Sequence, residues 1–109
     1  MLEGLPHAVR RYFELDPGDV EAFVSLFSHD ATVVDEGKTY HGPREIRTWR
    51  NGPAVKYTYT TDVLGTDAPS ADQYLITGRL TGNFPGETAD LRWDFAVTGD
   101  LISRLVIAP

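Results

Sequence analysis

The chain has 109 residues, enough to bury one core and too few for two, so residues 1–109 are read as a single domain. Sixteen acids against ten bases give a net charge of −6, which argues against a phosphate-backbone partner such as nucleic acid. With no cysteine there are no disulfides, thiol nucleophiles or thiolate metal sites, and a reducing, cytoplasmic setting is the expectation.

The start, Met1-Leu2-Glu3-Gly4-Leu5, lacks the basic flank and apolar run of an export signal. No stretch approaches bilayer-spanning length, so no membrane association is expected. Leu5, Val9, Tyr12 and Phe13 then fall at i, i+4, i+7 and i+8, one apolar helical stripe. Asp16 suits an N-cap, with Pro17 at the first position of a second helix. Val20, Phe23, Val24 and Phe27 carry that helix's stripe. Ser28-His29-Asp30 interrupts it, and Ala31-Thr32-Val33-Val34 is a β-prone run ending on Asp35. Glu36 to Gly42 reads as a polar loop. Pro43 restarts a helix with Ile46 and Trp49 on its apolar edge, and Asn51-Gly52-Pro53 ends it.

The second half reads as four strands. Lys56 to Thr66 places Tyr57, Tyr59, Thr61 and Val63 on one face, before a turn at Asp67-Ala68-Pro69-Ser70. Gln73 to Thr81 places Tyr74, Ile76, Gly78 and Leu80 together, before a turn at Asn83-Phe84-Pro85-Gly86. Leu91, Trp93, Phe95 and Val97 alternate most clearly, and Gly99-Asp100 suits a two-residue hairpin leading into Leu101 to Ile107. Gly78 and Gly82 inside a strand point to sheet bending. Helices followed by a strand meander imply an α+β fold with the helices on one sheet face.

This order resembles the SnoaL-like branch of the nuclear transport factor 2-like superfamily, related to the ketosteroid isomerases. The resemblance rests on Leu26 to Asp35, on Gly42-Pro43-Arg44-Glu45-Ile46, on Thr77 to Gly86 and on Asp90 to Phe95. It implies a cystatin-like α+β cone: a curved antiparallel sheet wrapped around three helices, with a pocket at its open end. It also implies a homodimer through the outer sheet face. Members include isomerases, polyketide cyclases, dehydratases, epoxide hydrolases and binding domains, so the fold alone does not fix the activity.

Against the ketosteroid isomerases, Asp35 falls where the resemblance places a general-base aspartate. Tyr12 falls where it places an oxyanion-holding tyrosine. A carboxylate in an apolar cone has a raised proton affinity, and a phenol opposite it can donate to a developing enolate. The third member of that set, a protonated aspartic acid, is replaced by Trp93, whose bulk is expected to narrow the pocket; Asp94 beside it points to the other face. Two plainer readings stand beside these: Tyr12 as a core residue with a satisfied hydroxyl, and Asp35 as a strand-end cap of backbone N–H groups.

His41 is a further candidate acid or base at the mouth. Trp49, Tyr57, Tyr59, Trp93 and Phe95 are the expected wall of an apolar binding site. Arg79 is a candidate for an anionic ligand or a buried carboxylate, with an outward-facing arginine as its plainer reading. His7, His29 and His41 have no ligand spacing, so no metal is expected, and no cofactor loop is present. The functions in view are a pocket for a small hydrophobic molecule, a cofactor-independent isomerase, cyclase or dehydratase with Asp35 as base, and a dimeric scaffold.

Overall fold

The apolar stripes read from the sequence all meet one face of one sheet. The structure, a computed structural model, describes residues 4–16, 18–52 and 58–109; Pro17 and Tyr57 lie outside these. Three helices, α1 (His7–Glu14), α2 (Val20–Val24) and α3 (Gly42–Asn51), pack on six strands: β1 (Phe27–Asp35), β2 (Lys38–His41), β3 (Tyr59–Ser70), β4 (Gln73–Gly82), β5 (Thr88–Thr98) and β6 (Leu101–Ala108). The sheet order is β2-β1-β6-β5-β4-β3. Every neighbouring pair is antiparallel except β1 and β6, which run parallel. No helix among the described residues is long and apolar enough to cross a membrane.

The core lies between the helices and the concave face. Val9 of α1, Phe23 of α2 and Ile46 of α3 are completely buried, as are Val33, Ile76, Phe95, Ile102 and Leu105 from the sheet. On β5 the alternation holds as read: Trp93, Phe95 and Val97 are buried, and Asp94 faces outward to Gln73 of β4. The stripe of α1 lands on this strand, with Tyr12 and Phe13 meeting Phe95 edge-on at 5.2 and 5.9 Å. Such pairs add to plain area burial.

Several local readings are corrected. Helix α2 begins after Asp19 rather than Asp16, and Asp19 makes no side-chain cap. The helix also stops early. The Ser25 hydroxyl donates to the Ala22 carbonyl at 2.6 Å, a local bond that competes with helix continuation. Phe27 is taken instead by the sheet, opposite Ile102. Ser28-His29-Asp30 does not delay the strand; a register shift between Phe27 and Thr32 absorbs it. The turn expected at Asp67 to Ser70 is part of β3, and a register shift around Pro69 accommodates its missing donor on this edge strand.

The largest correction concerns Glu36 to Gly42, read as a loop. Glu36 and Gly37 both take positive φ, 52° and 76°, and close a tight hairpin in which Asp35 faces Lys38. Positive φ at both central positions is the two-residue geometry that matches strand twist. Asp35 therefore sits at a fixed strand end.

The glycines of β4 let neighbouring groups come close. A Cβ on Gly82 would run into the Thr58 carbonyl oxygen and the Tyr59 backbone. This close approach is fastened by Asn83 N–H donating to the Thr58 carbonyl at 3.1 Å and Thr58 N–H donating to Asn83 Oδ1 at 2.9 Å. It brings Tyr59 and the turn after β4 to the open end of the cone.

Candidate functional site

A cavity of about 290 Å³ opens between the helices and the sheet's curved end. Helix α1 contributes Tyr12, the β1–β2 hairpin Asp35 and Glu36, and α3 Trp49 and Arg50. The sheet and its turn add Tyr59, Leu80, Phe84, Pro85, Leu91, Trp93 and Ile107. The wall is thus mostly aromatic and aliphatic, with a few polar groups set into it, which is the usual make-up of a small-molecule site.

Asp35 and Tyr12 share this cavity. The Trp49 indole N–H donates to Asp35 Oδ2 at 3.0 Å. Burial pushes the Asp35 carboxyl above its ordinary range, and the charge of Glu36 adds to this; the Trp49 bond and the Glu36 backbone N–H pull the other way. Replacing Trp49 by Phe is therefore expected to move the Asp35 titration further upward, followed by carboxyl ¹³C NMR. An unmoved titration would show that the indole does not act on this carboxylate.

Burial likewise pushes the Tyr12 phenol far above its usual range, with the neighbouring Tyr59 and Asp35 adding to it; the Arg50 charge and a hydrogen bond with Trp93 partly oppose the shift. Tyr12 thus stays protonated and keeps an O–H to donate. Tyr59 is also shifted up, by burial and by Asp35 against the opposing Arg50 charge.

Trp93 lines the cavity and leaves it open. Its ring lies in a slot left by Gly78, where an added Cβ would come within 2.9 Å of Trp93 Cζ3. Phe13 backs it edge-on at 5.2 Å.

Three expected site residues lie elsewhere. His41 is exposed at the junction of β2 and α3, its Nδ1 3.3 Å from Thr32 Oγ1, because the hairpin makes these two cross-strand partners. Its backbone N–H donates to Glu45 Oε1 at 2.8 Å, a helix-start role. Arg79 faces outward and pairs with Asp90 directly across the sheet, Nε to Oδ1 at 2.8 Å, because strand alternation turns it away from Gly78 and Leu80. Phe95 is core: it supports Tyr12 from behind and does not reach the cavity. No group of His, Asp and Glu among the described residues could hold a metal ion.

Arg50 was not anticipated. It is only 7% exposed, its guanidinium sits 4.1 Å over the Phe23 ring, and its Nε–H has no hydrogen-bond partner among the described residues.

No family model matches the sequence, and no curated protein does. Solved structures do. A candidate polyketide cyclase from Sinorhizobium meliloti is 30% identical, with 95% of each chain covered and a TM-score of 0.87. A ketosteroid-isomerase-like protein from Catenulispora acidiphila, solved with trimethylamine, shares the fold at 19% identity and TM-score 0.80, over 95% of this chain and 85% of that one. A Mycobacterium tuberculosis protein solved with estradiol-17β-hemisuccinate shares it at 15% identity and TM-score 0.74, over 94% and 90%. With the cone, its curved sheet and a 30% identical relative aligned end to end, the chain belongs to the nuclear transport factor 2-like superfamily, among its SnoaL-like, ketosteroid-isomerase-like proteins.

Proposed function

We propose that the cavity binds a small, largely apolar carbonyl compound and that Asp35 moves a proton on it. The observation that carries this reading is the placement of Asp35 and Tyr12 on the wall of one cavity. In this chemistry the ionised Asp35 takes the proton from the carbon next to the carbonyl. The C–H electron pair moves toward the carbonyl oxygen, and the Tyr12 O–H donates to the oxygen as its charge develops. Trp49 holds the carboxylate in one orientation. Return of the proton to another carbon gives isomerisation; attack of the enolate carbon on an internal carbonyl, whose oxygen then takes the proton, gives cyclisation; departure of a β-hydroxyl as water, carrying the proton that Asp35 had taken, gives dehydration.

The neighbours support a site of this kind, since one is a candidate polyketide cyclase and two others were solved with small organic molecules bound. Binding without turnover is the second reading. It is favoured by the fact that Asp35 already accepts a bond from Trp49. A scaffold is less well supported. The exposed large hydrophobics among the described residues, Tyr59, Leu64 and Leu101, come from two different strands, and charged pairs such as Arg79–Asp90 occupy the outer face. A homodimer through that face remains the expectation from the family.

The test is α-proton exchange of 2-tetralone in D₂O, followed by ¹H NMR. Wild-type protein is expected to accelerate exchange and Asp35→Asn to lose the acceleration. Equal rates with both proteins reject Asp35 as the base.

A further inference from the structure

Among the described residues Arg50 has no carboxylate partner. Its position follows from helix geometry: Ile46, Trp49 and Arg50 stand at i, i+3 and i+4, so the third-turn arginine shares the inward stripe of α3. A cation that is more than nine-tenths buried is normally matched by a carboxylate or by acceptors for its N–H groups. Here the ion pairs formed among the described residues are Arg11–Glu14, Arg47–Glu21 and Arg79–Asp90, and none includes Arg50. Its Nε–H is buried and has no partner among the described residues. The Phe23 face gives the charge some compensation from below, but a ring offers no acceptor in the guanidinium plane.

The other side of Arg50 is the cavity, which it lines together with Tyr12 and Tyr59. Its charge acts on both phenols, as does that of Asp35. Asp35 is engaged by Trp49. The cavity wall therefore carries a carboxylate with raised proton affinity and a guanidinium without an ion-pair partner among the described residues.

From this we infer that Arg50 is a binding site for an anionic group of the ligand, a carboxylate by its chemical match to a guanidinium, so that the molecule taken up is a small apolar acid rather than a neutral one. The inference rests on the pocket reading above and deepens it. A carboxylate in the cavity beside the guanidinium would pair the buried charge. It would also fix which end of the ligand meets Asp35.

The test compares two probes with the same apolar body, 2-naphthoate and 2-naphthamide, by titration calorimetry. Wild-type protein is expected to bind 2-naphthoate at least about tenfold more tightly. Arg50→Met should erase that preference, and Arg50→Lys should restore part of it. The wild-type comparison decides the matter even if Arg50→Met does not fold. An independent reading is the Arg50 Nε–H signal in ¹⁵N NMR, which should move with 2-naphthoate and not with 2-naphthamide. Equal binding of both probes by wild-type protein overturns the anion site and leaves the pocket reading standing. Binding of neither overturns both.

Discussion

Replacing Asp35 by Asn is expected to reduce proton transfer by about 10²–10⁴-fold, the usual contribution of a positioned general base, while raising thermal stability at neutral pH. The two effects have one cause. Asp35 is partly buried against an apolar wall, so its native-state carboxyl holds its proton more tightly than the unfolded chain does. A group with a raised native value contributes stability below the ordinary carboxylate range and loses it as pH rises through the raised value. At neutral pH the ionised Asp35 is therefore a net cost to folding. Asparagine has nearly the same shape, offers Oδ1 to the Trp49 indole, and carries no charge to desolvate. The melting temperature of Asp35→Asn should exceed that of wild type at neutral pH, and the gap should close in acid. A variant that melts lower at neutral pH would mean that the carboxylate is stabilising, as a strand-end cap is.

The largest loss of stability is expected at Phe23. Its ring is completely buried and makes contacts with Tyr12 at 5.3 Å, Phe27 at 5.2 Å and Trp49 at 5.9 Å, besides carrying Arg50 at 4.1 Å. Phe→Ala in such a place costs about 3–5 kcal/mol from lost transfer and the cavity left behind. For a domain of this size total stability is about 5–15 kcal/mol, so Phe23→Ala should take away a large part of it. Urea melts read the change directly. Because Phe23 supports Tyr12, Trp49 and Arg50 together, Phe23→Leu is the gentler variant: it should fold and still weaken probe binding. A loss below about 1 kcal/mol in Phe23→Ala would contradict the assignment of this ring as the centre of the helix layer.

Much of the cone was legible because its signals are periodic. The stripe of α1 and the alternation on β5 are set by burial, and burial is what hydrophobic spacing records. The Glu36-Gly37 hairpin was not legible in this way. A polar four-residue edge strand carries no alternation, and the turn depends on positive φ at Glu36, which composition does not announce. The end of α2 was misread for a related reason: Phe27 fits a helical stripe, but pairing with Ile102 in a distant strand overrides it.

At the site, Asp35, Tyr12, Trp49, Tyr59 and Trp93 were all expected near one pocket, and all line it. Trp93 takes the slot that Gly78 leaves, a tertiary fact that its volume alone does not announce. Phe95 shares the inward face of β5 with Trp93, and alternation alone does not tell the cavity end of a strand from its core end. Arg50 was overlooked although a signal existed. The i, i+3, i+4 spacing from Ile46 and Trp49 already placed a charged residue on an apolar stripe, where a solvated one would not be expected.

The account depends most on Asp35 being a desolvated carboxylate facing a cavity that a small molecule can enter. Titration of the Asp35 carboxyl by ¹³C NMR, alone and with 2-naphthamide, tests both parts at once. The account predicts a midpoint above the ordinary aspartate value of about 3.9 that rises further when the probe fills the cavity and removes its water. A midpoint at or below the ordinary value, unmoved by the probe, would contradict it.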